Sequence, residues 1–497
     1  MPSSTESASD QAASTHALED AADPRRWWCL VAISLATFMS YLDTNIVSIA
    51  IPTIQRSLHL SVAGLEWTVS SYLLTLAGLL LAGGRLADAY GRRLLFTVGM
   101  AIFTASSLAA GLAGSGSVLI ASRAVQGIGA AMLTPATLAI IMAAFTDLRE
   151  RATAIGVWTA SAAMGLAIGP VAGGLISQNL HWGWIFLINV PVGVLTLAIT
   201  RRAVRESKAP SASRGLDVAG LITSAVSLFA LTYALIEGSS AGWTSAQIIA
   251  AFAIAAAAAA IFITVQARTA EPMVDLAMFR IRQFSGGTGT QMIWAFGALG
   301  IYFFTSIYLQ DILGFSPTKA GLLFVPMAIA LAVFAGASGP AEKLIGGHRT
   351  VALGLAMMLA GTVLILTHSV HASFSSLLPI VLLLGAGLGL LNVPLTSLVL
   401  AATPQARAGI ASALLNDSRE VAGLLGITVI GAVLRSKQDS ALRAGSSPVH
   451  AFVEGYHSGV WVTIAVLGLG VVVSYVTLRP ARNPAVPAGQ SQPMSGG

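Results

Sequence analysis

The sequence has few charged residues, a single cysteine and none of the common nucleotide or metal motifs. Only 10% of its 497 residues are charged, whereas a soluble protein has about 25%. Cys29 alone cannot form an internal disulfide or a cysteine-based metal site. Neither G-x-x-x-x-G-K-[ST] nor H-E-x-x-H occurs, which argues against P-loop ATP hydrolysis and a zinc site. No basic, aromatic-interleaved patch indicates nucleic-acid binding. We therefore expect no cofactor, no metal and no nucleic-acid partner.

What the sequence has instead is apolar residues, which make up 55% of the chain. A helix needs about 20 consecutive apolar residues to cross a bilayer. Fourteen runs are long enough: 27–51, 63–83, 94–113, 118–141, 153–175, 183–200, 217–236, 246–267, 284–308, 319–340, 350–367, 374–401, 409–434 and 459–478. The sequence therefore predicts an all-α polytopic membrane protein, with both termini on one side of the membrane because the number of runs is even.

The basic residues are distributed unevenly between the two sides of this predicted topology. If the N terminus is cytoplasmic, twenty lysines and arginines fall on the cytoplasmic side, and five fall on the other: Arg56, Lys319, Arg435, Lys437 and Arg443. The last three lie in 435–458, the longest predicted outer loop. The positive-inside rule predicts a multi-pass protein of the cytoplasmic membrane with both termini in the cytoplasm.

A weak internal repeat suggests how the chain is divided. Gly84 and Gly91 recur as Gly339 and Gly346, an offset of 255 residues in each case. Such a repeat is typical of transporters with parallel repeats, and chance similarity of short glycine-rich strings is the alternative. The offset fits a six-helix bundle at 25–202, a linker with two extra transmembrane helices at 203–270 and a second six-helix bundle at 271–478. Residues 1–24 and 479–497 have no periodic pattern and are predicted to be disordered cytoplasmic tails.

A short charged loop joins the second and third apolar runs. It reads Gly84-Arg85-Leu86-Ala87-Asp88-Ala89-Tyr90-Gly91-Arg92-Arg93. The two glycines permit a tight turn, and Asp88 can accept hydrogen bonds from arginines or from a helix N terminus. The loop is interpreted as a rigid, charged clasp at one membrane face. A plain hairpin that only obeys the charge rule is the alternative.

Two charged residues lie inside the first and fourth runs. Asp43 follows an uncharged run and precedes one too short to span, so it lies within the bilayer, about 13 Å below Pro52. There a carboxyl group is neutral unless a cation pairs with it, and either state suits proton uptake and release. Arg123 lies about 8 Å from Val118, within reach of Asp43, although it could instead extend to the surface. A purely structural carboxylate is the alternative for Asp43.

A glycine stripe marks the fifth run. Gly165, Gly169 and Gly173 share one helix face, so a neighbouring helix can approach closely. Pro170 removes one helix hydrogen bond and favours a kink, and Gly174 completes the stretch. Generic helix packing is the alternative.

A polar cluster, Asn416, Asp417, Arg419 and Glu420, precedes an uncharged run of only 14 residues. The helix must therefore begin earlier and bring the cluster into the membrane. Asp417 and Glu420 lie about 60° apart around the helix. The cluster is a candidate substrate site or second proton site, and we expect Glu420 to pair with Arg419 rather than titrate separately.

These stretches resemble signatures of the major facilitator superfamily. The loop is similar to its G-x-L-A-D-x-x-G-R-R pattern, with Ala89 where many members carry a basic residue. Residues 123–130 resemble the helix-4 signature of proton-driven members, whose arginine is implicated in proton relay. Residues 165–174 resemble the antiporter motif G-x-x-x-G-P-x-x-G-G of drug exporters. Glu420 departs from the family, which usually has glutamine there.

With fourteen spans, the chain is most similar to the fourteen-helix drug:proton antiporters. The resemblance implies two six-helix bundles plus two extra central helices, and no enzymatic activity. It implies export of hydrophobic, often cationic drugs or antibiotics in exchange for protons, with Asp43 and Arg123 in proton coupling and the charged loop as a gate. The expected partners are substrate, protons and lipid, and we expect a monomer. An importer or metabolite facilitator on the same fold is the main alternative, and a membrane sensor is a second.

Overall fold

The computed structural model describes residues 25–208, 217–270, 272–404 and 407–479. The tails predicted to be disordered lie outside these residues, apart from Arg479. The described residues form fourteen long helices and contain no strand. Their bounds are α1 Arg25–Leu58, α2 Val62–Tyr90, α3 Arg92–Gly111, α4 Gly116–Ala144, α5 Leu148–Asn179, α6 Trp184–Ala203, α7 Val218–Ala241, α8 Ala246–Arg268, α9 Arg282–Ile312, α10 Pro317–Ile345, α11 Gly347–Ile365, α12 Phe374–Ala401, α13 Ala408–Arg443 and α14 Pro448–Thr477.

The helices coincide with the fourteen predicted apolar runs, which confirms the all-α membrane class. By length and composition, thirteen of the helices in the described residues can cross a membrane. The fourteenth, α13, carries Asp417, Arg419 and Glu420 inside it, and these charges lower its hydropathy. Its 36 residues nevertheless exceed the length that a crossing requires.

One predicted connection is wrong. Residues 435–458 were expected to form a long loop, but α13 continues to Arg443 and α14 begins at Pro448. Arg435, expected in that loop, lies within α13 and is buried. The helix can continue past this charge because the guanidinium pairs with Glu66 inside the protein.

At two equivalent helix junctions, a glycine makes the turn from one helix to the next. Gly91 ends α2 with a φ of +131°, and Gly346 ends α10 with a φ of +87°. Side chains disfavour this left-handed region, whereas glycine tolerates it. In both places the next helix begins at once. The two junctions are consistent with the sequence repeat that links Gly84–Gly91 to Gly339–Gly346.

The helices form two bundles and an inserted pair. Within the first bundle, α1 packs on α5, and α4 packs on α2 and α3. Within the second, α9 packs on α13, and α12 packs on α10 and α11. The inserted helices α7 and α8 pack on each other, and α7 also contacts α2 and α13. The predicted fold class is therefore confirmed, while the residue limits of its segments remain predictions.

Contacts of α1 with α9 and of α5 with α10 join the two bundles near one end of the molecule. We call the end that carries residues 84–93 the loop-84 end and the opposite end the far end. Near the far end, Gln310 Nε2 of α9 donates to Ile49 O of α1 at 2.8 Å. There too, Thr318 N of α10 donates to Gln178 Oε1 of α5 at 3.2 Å. A cavity between the bundles extends instead toward the loop-84 end, where residues of that loop line it.

Candidate functional site

Asp43 is the centre of a fully buried polar network. Its side chain has no exposed surface. Oδ2 accepts from Arg123 Nη1 of α4 at 2.5 Å. Oδ1 accepts from Gln126 Nε2 of α4 at 2.8 Å and from Asn189 Nδ2 of α6 at 2.9 Å. Ser107 of α3 joins the network as an acceptor from Gln126 Nε2 at 2.9 Å. Four helices of the first bundle therefore converge on one carboxylate.

Arg123 is held from several sides and does not extend to the surface, since only 1% of it is exposed. Its Nε donates to Thr68 O at 3.2 Å, and its Nη1 also donates to Gln126 Oε1 at 2.7 Å. The guanidinium carbon lies 4.3 Å from the centre of the Tyr72 ring and 5.6 Å from that of Phe186. A cation over an aromatic face is stabilised by the ring quadrupole. Burial of this charge is therefore compensated by an ion pair, hydrogen bonds and two rings.

The hydrogen-bond pattern fits the ionised form of Asp43. Each group that contacts its oxygens, from Arg123, Gln126 and Asn189, is a donor. A carboxylate accepts from all three, whereas a carboxylic acid must donate once. The three donors leave one lone pair on Oδ2, beside Arg123, so a proton taken up there would remove the counter-ion of that arginine. The network therefore has a charged and a neutral arrangement.

A cavity of about 880 Å³ lies between the bundles, next to this network. Tyr41, Thr44 and Asn45 of α1 line it, and so does Tyr72, whereas Asp43 and Arg123 are not among its lining residues. Tyr72 thus has one side toward the cavity and its ring against the Arg123 guanidinium. A change in the charge of Asp43 can therefore act on the cavity through Tyr72, as well as through its neighbours on α1.

The predicted polar cluster on α13 is divided between two cavities. Asn416, Arg419 and Glu420 line the large cavity. Arg419 Nη2 pairs with Glu420 Oε1 at 2.6 Å and lies 3.4 Å from the Tyr41 hydroxyl of α1. Asp417 lines a separate cleft of about 230 Å³ beside α7 and α8 instead. The sequence placed these four residues together, and the structure does not, because α13 packs on α2 and α7 along the face that carries Asp417.

The charged loop makes contacts within itself and with distant segments. Asp88 Oδ1 accepts from Arg92 Nη2 at 2.9 Å, across the Gly91 junction. The backbone N–H groups of Arg93 and Leu94, which begin α3, donate to the Glu206 carboxylate at 3.0 and 3.1 Å. A carboxylate at a helix N terminus satisfies free donors and opposes the helix dipole. Thus Asp88 binds an arginine, and Glu206, which the sequence analysis overlooked, binds the helix end. Gly84 and Arg92 also line the cavity.

The glycine stripe of α5 lies directly on α1. A Cβ added at Gly165 would lie 2.5 Å from Phe38 O, and one at Gly173 would lie 2.6 Å from Ile46 O. Gly169 faces Asn45, where an added Cβ would lie 2.7 Å from the Asn45 Cβ. No side chain fits at such distances, so the two backbones are as close as helices can be.

Two further residues of this stretch face the second bundle. A Cβ at Gly174 would lie 2.5 Å from Pro317 O of α10. Pro170 contacts Gly321 of the same helix through its carbonyl oxygen. The stretch 165–174 therefore packs on α1 with one face and closes the far end with another.

The family model described as Major Facilitator Superfamily matches residues 33–427. The chain belongs to this superfamily. It is 37% identical over 429 residues to "Multidrug resistance protein Stp" of Mycobacterium tuberculosis (strain ATCC 25618 / H37Rv), an alignment that covers 85% of this chain and 80% of that protein. It is 34% identical over 466 residues to "Puromycin resistance protein pur8" of Streptomyces alboniger, with 92% of each chain covered.

Solved structures share the fold at low sequence identity. A bacterial homologue of the human lysosomal transporter Spinster, in an inward-facing and unoccupied conformation, superposes with a TM-score of 0.64 at 17% identity, over 92% of this chain and 98% of that one. The POT family transporter PepTSo gives a TM-score of 0.65 at 13% identity, over 90% and 98%. These likenesses concern the fold alone. The protein is thus a multi-pass membrane protein of a transporter family.

Several residues of this superfamily member escaped the sequence analysis. Asn189 is a lone amide in the apolar run 183–200, a signal that could have drawn attention to it. Glu66 is a further charged residue inside an apolar run, 63–83. Its partner Arg435 was assigned to a loop. A systematic search for polar residues inside every run would have found Glu66 and Asn189, but not their partners.

Proposed function

We propose that this protein exports hydrophobic or amphipathic drugs, antibiotics among them, across the cytoplasmic membrane in exchange for protons. The observation that carries the proposal is the buried Asp43–Arg123 network beside a drug-sized cavity, with Tyr72 lining the cavity and its ring against the Arg123 guanidinium. The names of two relatives, a multidrug resistance protein and a puromycin resistance protein, support the substrate class.

The lining of the cavity supports an apolar substrate with a polar or positively charged part. Its volume of about 880 Å³ lies within the usual range for ligand sites, about 300–1,000 Å³. Glu420 is the acidic group on its α13 wall, and Arg419 neutralises it. A cationic substrate would compete with Arg419 for this carboxylate. Large apolar side chains supply much of the wall: Trp158, Leu166, Trp294, Tyr302, Phe324, Met327 and Leu384.

Proton exchange follows from the two arrangements of the network. In the present conformer Asp43 is ionised and the cavity extends to the loop-84 end. With that end in the cytoplasm, this is the state in which an exporter has released its proton and can take up substrate. Substrate contact with Tyr41 or Tyr72 then favours the opposite conformer, in which the substrate leaves. Asp43 takes up a proton from the far side in that conformer, and the protonated protein returns to the state open to the loop-84 end.

We assign the charged loop and the glycine stripe to the conformational cycle. Asp88 and Arg92 lie at the loop-84 end, which must close when the far end opens. The α1–α5 contact through Gly169 keeps the far half of the first bundle sealed. Under this proposal the protein acts as a monomer with both termini in the cytoplasm.

The test is transport by inverted membrane vesicles that contain the protein, with the interior acidified. We expect puromycin or a fluorescent lipophilic cation to accumulate inside, and a protonophore to release it. An importer would instead deplete the vesicle interior under the same gradient. Absence of any movement across a panel of such compounds would contradict the proposal.

A further inference from the structure

A second buried ion pair lies near the far end, on the opposite side of the cavity from the loop-84 end. Glu66, in the first two turns of α2, has no exposed surface, and the side chain of Arg435 in α13 is 10% exposed. Arg435 Nη1 donates to Glu66 Oε1. No part of the Asp43 network contacts this pair, so its charges must serve another purpose or none.

The pair connects all three parts of the fold. Arg435 Nη2 donates to Leu235 O at 3.0 Å and to Ile236 O at 3.2 Å, both in α7. One guanidinium therefore joins α2 of the first bundle, α13 of the second and α7 of the inserted pair. When the bundles separate at the far end, α2 and α13 must part there, so this ion pair must break in every transport cycle.

One oxygen of the Glu66 carboxylate is available to bind a proton. Glu66 Oε2 is buried and has no hydrogen-bond partner among the described residues. A proton can therefore be placed on Oε2 without displacing a donor. Gly431 lies one turn before Arg435, and a Cβ there would collide with the Glu66 carboxylate. Because Gly431 has no side chain, the Glu66 carboxylate can occupy this space.

Two charged groups act on Glu66 from the helices packed around it. Arg435 of α13 attracts its negative charge, and Glu237 of α7 repels it. Glu237 has partners of its own, since its Oε1 accepts from Trp67 Nε1 at 2.9 Å and its Oε2 from Ser240 Oγ at 2.9 Å. Glu66, and not Glu237, is therefore the counter-ion of the buried Arg435 guanidinium.

We infer that Glu66 is a second proton-binding site, which holds the far end closed while it is ionised and releases it when it is protonated. The step is the simple addition of one proton to the carboxylate. A neutral Glu66 leaves Arg435 buried without a counter-ion, which strongly disfavours the closed conformer. Opening of the far end hydrates the guanidinium and removes this cost. The inference rests on the proposed proton-coupled export, and it adds a proton-dependent latch to the side where protons would enter.

The experiment measures closure of the far end without any substrate. Gln178→Cys and Thr318→Cys are combined with Cys29→Ala, because the two positions are joined by a hydrogen bond across the far end. Oxidative cross-linking of this pair in proteoliposomes is then followed as a function of pH. Because disulfide formation needs a thiolate and slows in acid in any conformer, each yield is divided by that of a cysteine pair between α1 and α5, which stay packed together. With native Glu66 we expect efficient cross-linking at alkaline pH and a decline as the pH falls.

Glu66→Gln mimics the protonated carboxyl group and should give weak cross-linking at every pH. Removing one partner of a buried pair shifts such an equilibrium by about a hundredfold or more. Glu237→Gln, a carboxylate in the same region, is the matched control and should retain the pH profile. The double variant Glu66→Gln/Arg435→Met removes both charges and should cross-link efficiently at every pH.

Native cross-linking by Glu66→Gln, or a pH-dependent profile in the double variant, would overturn the inference. The double variant keeps the test decisive if the single variant does not fold, because it leaves no unpaired charge. The readout is also separable from the proposed function. A latch that responds to pH in a protein that moves no substrate under a proton gradient would contradict the exporter and support the latch.

Discussion

Replacing Asp43 with asparagine removes the charge of the central network while keeping its size. The introduced amide can still accept from Arg123 through its oxygen, but it turns an N–H donor toward Gln126 and Asn189. Asn189 Oδ1 has no partner among the described residues, so a flip of the Asn189 amide lets this oxygen accept from the new donor. The remaining losses are the counter-ion of Arg123 and one acceptor of Gln126 Nε2, which keeps its bond to Ser107.

The structure limits the stability cost of this change. Loss of one partner of a buried ion pair typically costs about 3–5 kcal/mol. Arg123 keeps its hydrogen bonds to Gln126 and Thr68 O and its contact with the Tyr72 ring. We therefore expect a cost near or below the lower limit, about 3 kcal/mol, and a protein that still folds and inserts.

The effect on transport should be far larger. A membrane potential of 100 mV supplies about 2.3 kcal/mol per charge, and a tenfold concentration ratio corresponds to about 1.4 kcal/mol. One exchanged proton can therefore sustain an accumulation of about fiftyfold for a neutral substrate. Without a titrating group at position 43, accumulation should fall to the equilibrium ratio of about one.

The assay compares uphill accumulation with substrate exchange in inverted vesicles. Asp43→Asn should abolish accumulation under an imposed pH gradient, yet exchange labelled for unlabelled substrate when no gradient is present. Exchange shows that the variant is folded and binds substrate, so it serves as the internal control. Accumulation by this variant at the wild-type level would refute the role of Asp43 in coupling.

Three further changes test other parts of the molecule. Asp88→Asn should reduce turnover with little change in substrate affinity or melting temperature, since the pair with Arg92 is partly exposed and worth at most about 1 kcal/mol; an equal loss of affinity would indicate a damaged fold. Gly169→Leu should abolish uphill export and speed the decay of a pH gradient, because its side chain collides with Asn45, whereas undiminished accumulation would mean that the stripe only packs. Asp217 lies just before α7. Burial raises the pKa of its carboxyl group, but three hydrogen bonds to the carboxylate lower it by more, so the pKa lies below the usual value. The resulting stability is present at neutral pH and is lost as the pH falls through that lowered pKa, and Asp217→Asn should lower the melting temperature at neutral pH but not in acid below that pKa.

The helices could be predicted because lipid imposes a local rule. Each span needs an apolar run of fixed length, and the fourteen runs can be counted without any knowledge of packing. Depth along a helix is also local, which is why Asp43 and Arg123 could be placed within reach of each other. The prediction of a loop at 435–458 failed because it took Arg435 as a surface charge, and only tertiary contact with Glu66 makes its burial favourable.

The partners within each site depend on which helices touch. Asn189 reaches Asp43, and Ser107 reaches the donors Gln126 and Asn189, only because α6 and α3 pack beside α1 and α4. Asp417 and Glu420, about 60° apart on an isolated helix, lie in different cavities because α13 sits between the large cavity and α7. Helix periodicity gives the angle between two residues but not what lies on each side.

The packing of α1 suggests how events at Asp43 can reach the far end. One face of α1 presents Asp43 to α4 and α6, and another lies on the glycine stripe of α5 from Gly165 to Gly173. Because these backbones are in contact, α1 cannot shift along this seam without displacing α5. In turn, α5 closes the far end where Pro170 meets Gly321 of α10. Rearrangement of the donors around Asp43 therefore has a continuous, closely packed route to the contact that opens, and substitutions that loosen this route should uncouple proton uptake from opening while leaving each step intact.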